Sequence, residues 1–187
     1  FVDKDPNACS FIHSLYMGFG SKVTPGNVGF AMQNRGALFA LEADHANCLA
    51  PHKRPFHTII PAMVTRKGHP WLVFGLMGGD MQPQGHVQIL VNMIDLGMNV
   101  QAAGDAARVR HDGSATPTGL SMAPRGGVVN LEPGFPEETL RGLRARGHQA
   151  GYVVGGYGGY QATLIDEKPG VLHGATEPRT HGSAGGY

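Results

Sequence analysis

The sequence lacks any strong imbalance of charge. Its 15 lysine and arginine residues are matched by 14 aspartate and glutamate residues, which leaves a formal net charge of +1. This balance excludes the basic field that gathers nucleic acid or anionic lipid. The longest apolar runs are also far shorter than the roughly 20 residues that a membrane-spanning helix needs. We therefore predict neither nucleic acid nor a membrane as a partner.

Cysteine is equally scarce. The two cysteines, Cys9 and Cys48, neither pair by spacing nor form a metal motif, which predicts buried free thiols. The histidines are scattered, and His45, His52 and His57 lack the short fixed spacing of a zinc site. We therefore predict no metal and no cofactor.

The chain is long enough and apolar enough to bury a core. Its 187 residues, 41% of them hydrophobic, suit a single domain. The apolar pattern predicts more strands than helices, with the central helices following one another, which indicates an α+β layered domain with antiparallel strand pairs. The predicted strands cover residues 56–65 (at an edge or bulged, because of Pro61), 71–76, 128–132, 160–165 and 171–175, and the predicted helices cover residues 86–97, 99–108 and 135–147.

The first residues predict a hairpin. The turn D-K-D-P-N at residues 3–7 combines three residue types that each favour turns. Because the strand pattern already runs at Phe1, we expect a processed or truncated polypeptide whose missing partner strand lies upstream.

The most informative stretch is residues 71–85. An apolar strand leads into the paired glycines Gly78 and Gly79, then into a polar cluster that begins with Asp80, and then into a helix. Such a turn places backbone N–H groups where few side chains obstruct them, which suits the binding of a negative oxygen in a transition state. A simple tight turn is an equally good interpretation. Asp80 is either a pocket residue or a helix N-cap.

A second glycine cluster, residues 155–159, lies among tyrosines. It lacks the Lys-Ser/Thr pair and the strand-to-helix context of a phosphate-binding loop, so we predict a flexible loop. Tyr152, Tyr157 and Tyr160 are predicted to be core or interface aromatics.

Four landmarks occur in one order along nearly the whole chain. They are V-D-K-D-x-N at residues 2–7, K-R-P at residues 53–55, G-G at residues 78–79, and G-A-T-E-P-R followed by G-G-Y within residues 174–187. In this order and spacing the chain resembles the small subunit of the gamma-glutamyltranspeptidase family of N-terminal nucleophile hydrolases. The resemblance implies a four-layer αββα sandwich, of which residues 1–187 are the small-subunit portion.

The resemblance also implies a chemistry. A precursor cuts itself, and the new N-terminal threonine of the small subunit attacks an amide carbonyl with its own α-amine as the base. The N–H groups of Gly78 and Gly79 then hold the oxyanion. Neither Thr24 nor Thr58 stands at a new N-terminus, so we expect the nucleophile a few residues before Phe1. The expected partner is the large subunit of the same precursor, and the chain alone is expected to be inactive.

The resemblance places substrate-binding residues at positions where this chain departs from the glutamyl-specific pattern. Those members carry N-N-Q-M-D-D, whereas residues 33–38 read Q-N-R-G-A-L. Leu38 replaces the acid that would pair with a glutamyl ammonium group, and Arg35 replaces the glutamine. Loss of the acid disfavours a buried cation, and an added arginine favours an anionic group. We therefore expect an acidic acyl amide (γ-glutamyl, glutaryl or oxamate-like), with glutathione not expected to be the best substrate.

Four further positions belong to this expected substrate site. Ser14 takes the place of a threonine, and Tyr16 takes that of an asparagine that helps to bind the ammonium group. His57 and Thr58 take the place of a serine pair that would hold the α-carboxylate. The alternative interpretations are that Arg35 is an ordinary salt-bridged surface residue and that His57 and Thr58 only satisfy backbone groups.

Two other classes of function stay open at this point. One is a catalytically inactive relative that serves as a binding or scaffold subunit. The other, a serine or metal hydrolase on another fold, fits poorly, because Ser114 and Ser121 have no neighbouring base or elbow motif. The resemblance favours a cytoplasmic location, with a periplasmic or secreted one as the alternative.

Overall fold

A computed structural model describes residues 1–113, 126–168 and 170–186. The positions of Ser114 and Ser121 lie outside the described residues. The described chain divides into two compact units. The first comprises residues 1–12, 60–112, 128–168 and 170–186, and the second comprises residues 13–59, 113 and 126–127.

The first unit carries two β-sheets and three α-helices. In chain order its elements are β1 (Ala62–Arg66), β2 (His69–Met77), α1 (Met81–Ile94), α2 (Val100–Asp105), β3 (Val109–Asp112), β4 (Val128–Leu131), α3 (Glu137–Ala145), β5 (Ala150–Tyr152), β6 (Gly159–Ile165) and β7 (Leu172–Thr176). The four-stranded sheet has the order β1-β2-β6-β7, with every neighbouring pair antiparallel. The three-stranded sheet has the order β3-β4-β5. None of the helices in the described residues is long and apolar enough to cross a membrane.

The core lies between the four-stranded sheet and the helices α1 and α2. Leu72, Phe74 and Leu76 alternate along β2, so their side chains share one face of the sheet. They form a buried cluster with Ile89 of α1 and Tyr160 of β6, each of which is fully buried. The cluster fixes the end of β2 and the start of α1, between which the paired glycines lie.

The predicted N-terminal hairpin is confirmed as a narrow one. Val2 and Ala8 form an antiparallel bridge, and the carboxylate of Asp3 accepts hydrogen bonds from the N–H groups of Asp5 and Asn7, both at 2.9 Å. This is the local side-chain chemistry by which aspartate stabilises turns. The hairpin is therefore built by the residues of its own turn.

Ser10 joins the segment after the hairpin to the four-stranded sheet. Its hydroxyl donates to the carbonyl of Phe74 at 2.9 Å and accepts from the N–H of Ala62 at 3.1 Å. One side chain thus bonds both β1 and β2, which places the first residues of the chain beside the strand that leads to the glycine turn.

Several sequence predictions need correction. β3 and β5 were not expected, and β4 pairs with β5 in parallel rather than antiparallel. The reason is the connection: α3 crosses between the two strands, as parallel pairing requires. The predicted helix 86–97 begins earlier, at Met81, because Pro83 lies in the first turn, where proline is tolerated. The predicted helix 99–108 ends at Asp105.

The prediction for the two cysteines is half correct. Both are free, but Cys9 is exposed and Cys48 is half-buried. Cys9 follows the surface hairpin, and Cys48 lies in a loop and forms a β-bridge with Ala40. Neither cysteine belongs to a strand or helix that packs against the core.

His86 of α1 completes a hydrogen bond of the sheet. Its Nε2 accepts from the N–H of Leu76 at 3.2 Å, and its ring centroid lies 4.8 Å from that of Phe74. The side chain is buried, and burial lowers the pKa of His86 below the ordinary value of 6.5. Because an accepting Nε2 carries no proton, the folded protein holds this imidazole neutral.

We expect His86 to make the protein less stable in acid. The folded-state pKa lies below the unfolded value of 6.5, so the unfolded chain binds more protons as the pH falls through this window, and the free energy of unfolding drops. Urea denaturation at about pH 7.5 and about pH 5.5 measures the drop, which should be smaller in His86→Gln than in the wild type. Replacement of the exposed His148 by glutamine is the matched control and should preserve the wild-type drop. Equal drops in His86→Gln and the wild type would contradict the prediction.

Candidate active site

The paired glycines form a turn between β2 and α1 that only glycine adopts readily. Gly78 has φ 139° and Gly79 has φ 60°, both outside the range that side chains favour. Their carbonyls accept from the N–H groups of Met81 (3.1 Å) and Gln82 (3.0 Å), which starts the helix. Among the described residues, neither glycine N–H donates a hydrogen bond. The turn therefore presents two adjacent exposed main-chain donors.

Asp80 occupies the N-cap position of α1. Its side chain makes no capping hydrogen bond, and the residue is exposed. The sequence offered a helix N-cap and a pocket residue as alternatives. The structure gives the N-cap position without the capping bond, so the carboxylate stays available beside the glycine turn.

Gly158 packs against the glycine turn. A Cβ on Gly78 would lie 2.7 Å from the Cα of Gly158, and a Cβ on Gly158 would lie 2.4 Å from the carbonyl oxygen of Met77. Both distances are too short for any side chain. The glycine loop, defined as residues 155–159, is thus in direct main-chain contact with the turn.

Two arginines hold the glycine loop. Arg108 donates from Nη1 to the carbonyl of Tyr157 at 2.8 Å. Arg110 donates from Nη1 to the carbonyls of Gly155 (3.3 Å) and Gly156 (3.0 Å). The segment is a loop, as the sequence predicts, but its predicted flexibility is not supported, because the carbonyls of three consecutive residues accept from guanidinium groups.

Behind the loop lies a buried cluster of charges. Glu177 is 2% exposed, lies 3.8 Å from Arg108, accepts from the N–H of Tyr160 at 3.1 Å, and pairs with Arg179. Arg179 also grips Glu132 through two bonds of 2.6 and 2.7 Å. These four charged side chains connect the end of α2, β4, β6 and the segment after β7.

The cluster shifts the ionisation of its members. Burial lowers the pKa of Arg108 to about 10, with Arg179 nearby acting in the same direction. Burial raises the pKa of Glu132, but hydrogen bonds from Arg179 and from the Arg108 N–H outweigh it, so the pKa lies below the ordinary value. Arg108 and Glu132 therefore both stay ionised at neutral pH.

Sequence reasoning missed this cluster. Glu177 and Arg179 lie inside the G-A-T-E-P-R landmark, which was used only to establish the resemblance. A glutamate and an arginine two residues apart at the end of the last strand were the available signal. Nothing in the local sequence identifies Glu132 or Arg108 as their partners.

All the predicted substrate residues except Asp80 belong to the second unit. Arg35 begins a short 3₁₀ helix (Arg35–Leu38) and is 4% exposed. Its Nε donates to the Thr58 hydroxyl at 2.8 Å, and its Nη1 donates to the Ser14 carbonyl at 3.0 Å. The structure therefore brings together three of the predicted residues: Ser14, Arg35 and Thr58.

One nitrogen of Arg35 is left without a partner. Its Nη2 is buried and makes no hydrogen bond, and the described part of the chain gives the guanidinium no ion-pair partner. The interpretation of Arg35 as a salt-bridged surface residue is therefore wrong. A buried cation without an anion is unfavourable.

The remaining predicted residues are placed less uniformly. Tyr16 is half-buried, has φ 77°, and donates its N–H to the Ser14 hydroxyl at 3.0 Å. Leu38 is buried. Because its side chain is apolar, this position offers no carboxylate. His57 is exposed, although it is the immediate neighbour of Thr58.

Comparison with known proteins gives consistent results. The family described as Gamma-glutamyltranspeptidase matches residues 1–187. The glutathione hydrolase-like YwrD proenzyme of Bacillus subtilis is 39% identical over 188 residues, which is 99% of this chain and 34% of that protein. The oxamate amidohydrolase proenzyme of Klebsiella pneumoniae is 34% identical over 189 residues, which is 100% of this chain and 34% of that protein. The chain thus spans about a third of the length of these relatives.

Solved structures share the fold. The gamma-glutamyltranspeptidase of Pseudomonas nitroreducens complexed with L-DON superposes with a TM-score of 0.81 at 27% identity, covering 100% of this chain and 97% of that chain. The cephalosporin acylase of Bacillus halodurans gives a TM-score of 0.76 at 45% identity, covering 89% of this chain and 29% of that chain. The mixed arrangement of helices and two sheets is that of these neighbours. The chain belongs to the gamma-glutamyltranspeptidase family.

Proposed function

We propose that this chain is the catalytic small-subunit portion of a self-processed amide hydrolase or acyltransferase. The observation that carries the proposal is the turn at Gly78 and Gly79, at a strand-to-helix junction, whose two main-chain N–H groups donate no hydrogen bond within the described residues. Fixed donors of this kind stabilise the oxyanion of a tetrahedral intermediate. Support comes from the family and from relatives that are named hydrolase and amidohydrolase proenzymes.

The nucleophile in this proposal is a threonine that becomes the N-terminus of the small subunit upstream of Phe1. Its α-amine takes the hydroxyl proton as the oxygen attacks the amide carbon, and the same proton passes to the leaving amine. The carbonyl oxygen carries the negative charge meanwhile, against the N–H groups of Gly78 and Gly79. Water or an acceptor amine then releases the acyl group and regenerates the hydroxyl.

The proposed partner is the large subunit from the same precursor. Relatives about three times as long as this chain are named proenzymes, which agrees with a polypeptide that is cut into two parts. We propose that the two parts together form the four-layer αββα sandwich, with residues 1–187 as the small-subunit share.

The proposed substrate is an amide whose acyl group carries a carboxylate and no ammonium group. Arg35 supports this, because its buried Nη2 makes no hydrogen bond to any residue that the structure describes, while Nε and Nη1 are fixed by Thr58 and the Ser14 carbonyl. An arginine held in this way presents a directed, charge-assisted donor to an anion. Leu38 gives no carboxylate that would bind a glutamyl ammonium group.

Self-cleavage of the complete precursor tests the proposed function. Purified precursor should convert into two fragments, and sequencing of the smaller one should give an N-terminal threonine shortly before Phe1. Replacement of that threonine by alanine should abolish both cleavage and amide hydrolysis. A precursor that stays intact and turns over no amide would indicate a binding or scaffold subunit instead.

Replacement of Arg35 by glutamine tests the substrate class. We expect the kcat/KM for a glutaryl anilide to fall roughly 10- to 100-fold, because a hydrogen-bonded charge contact is worth about 1.5–3 kcal/mol. The butyryl anilide has no carboxylate and serves as the internal control, so its kcat/KM should change less than about twofold. Turnover of a γ-glutamyl anilide by the wild-type enzyme at or above that of the glutaryl anilide would contradict the assignment.

A further inference from the structure

We propose that Arg110 is a positioning residue, which fixes the glycine turn at Gly78 and Gly79 by bracing the glycine loop against the end of β2. The proposal builds on the oxyanion role proposed for that turn. It concerns a residue that does not touch the reacting atoms and that acts through the main chain of residues 155–159.

The first step is the fit between Arg110 and the loop. Its Nη1 donates to the carbonyls of Gly155 and Gly156, at 3.3 and 3.0 Å. A Cβ on Gly156 would lie 1.9 Å from that nitrogen, so the guanidinium occupies the space that a side chain would fill. Its Cζ lies 5.4 Å from the ring centroid of Tyr157, within reach of a cation–π contact.

The second step is the rigidity of the guanidinium. Nε and Nη2 of Arg110 grip the Asp112 carboxylate at 3.0–3.1 Å, and Asn130 donates to the same carboxylate at 2.7 Å. Arg110 and Asp112 are two residues apart on β3, and Asn130 lies opposite Arg110 on β4. Because strand residues two apart share a face, the three-stranded sheet presents this group to the loop as one fixed unit.

The third step is the contact through which the position of the glycine loop determines the position of the glycine turn. Tyr157 is 1% exposed and anchors the middle of the loop, while the next residue, Gly158, meets the main chain of Met77 and Gly78. The atoms nearest to a Cβ on Gly78 are the Cα and N of Gly158. A displacement of the loop therefore moves the residues that aim the two N–H groups, and misplacement of a catalytic group by about 1 Å can cost roughly 100-fold in rate.

Arg110→Gln in the complete protein tests the proposal. We expect kcat for amide hydrolysis to fall about 10- to 100-fold with KM within about twofold, and Arg110→Lys to recover most of the loss, because it restores a cationic donor. Arg141→Gln is the matched control, since Arg141 is an exposed arginine of α3 whose contact is with Glu138. It should leave kcat unchanged. An unchanged kcat in Arg110→Gln, or a KM that rises as much as kcat falls, would overturn the proposal.

Hydrogen exchange gives a second measurement that needs no activity. The amides of Met81 and Gln82 donate to the carbonyls of the glycine turn, so their exchange reports on its geometry. Arg110→Gln should speed their exchange by at least about tenfold while the exchange of α3 stays at the wild-type rate. Unchanged exchange at Met81 and Gln82 overturns the proposal. If the wild-type protein hydrolyses no amide, the oxyanion role fails on its own, and the exchange result still decides whether Arg110 positions the turn.

Discussion

The free energy of unfolding is expected to fall by about 3–5 kcal/mol when Glu177 is replaced by glutamine. The Glu177 carboxylate is fully buried and is shared by Arg108 and Arg179, and it accepts from the N–H of Tyr160. Glutamine preserves the shape of the side chain but removes its charge. The guanidinium of Arg108, which is 1% exposed, then stays buried without its counter-ion. Removal of one partner of a buried pair is costly for this reason.

Urea denaturation of the complete protein at neutral pH measures this loss. Glu138→Gln is the matched control, because Glu138 is an exposed glutamate that also contacts an arginine, Arg141, at 3.3 Å. A surface pair contributes about 0–1 kcal/mol, so the control should stay near the wild type. If the two glutamine variants lose the same amount, the cluster contributes no more than a surface pair and the structural role assigned to it is wrong.

The sequence predicts those elements whose ends are set by their own residues. The helix predicted to begin at Asn99 is capped by that residue, whose side chain accepts from the N–H groups of Gln101 and Ala102. Pro61 indicated an edge or bulged strand, and β1 lies at the edge of its sheet with an irregular register between Val64 and Thr65. In both cases a local rule of backbone chemistry is sufficient.

The sequence does not predict elements that exist only through distant partners. β5 is three residues long, and its pairing with β4 depends on the crossing helix α3. β3 is four residues long, and two of its carbonyls accept from the side chains of Gln84 and Gln88 on α1. Segments this short carry too little periodicity to be recognised, and tertiary contacts decide their conformation.

The candidate site divides in the same way. The glycine turn could be predicted, because an apolar strand, two glycines and a helix follow one another directly in the sequence, and glycine is the residue that adopts positive φ most readily. The burial of Arg35 could not, since it depends on Ser14 and Thr58, which lie 21 and 23 residues away. His57 is exposed beside Thr58, and its place in the substrate site stays a prediction.

Among the effects on catalysis, we expect Gly78→Ala to have the largest. Gly78 has φ 139°, and the added methyl group would lie 2.7 Å from the Cα of Gly158. The clash is with main-chain atoms, which cannot move aside as the end of a flexible side chain can. The turn itself must therefore move, and its N–H groups no longer point at the position of the oxyanion. Loss of one oxyanion donor lowers kcat roughly 100- to 1,000-fold, and KM should change little, since the interaction is made in the transition state.

Gly97→Ala separates this effect from general backbone strain. Gly97 also has a positive φ, 68°, and a methyl group there meets nothing within 4 Å. Both variants place an L-residue at a positive φ, which costs about 1–3 kcal/mol, but only Gly78→Ala disturbs the proposed oxyanion donors. Steady-state kinetics of the self-processed enzyme should therefore give wild-type kcat for Gly97→Ala and a severe loss for Gly78→Ala. Equal kcat values in the two variants would show that the N–H groups of the glycine turn take no part in the reaction.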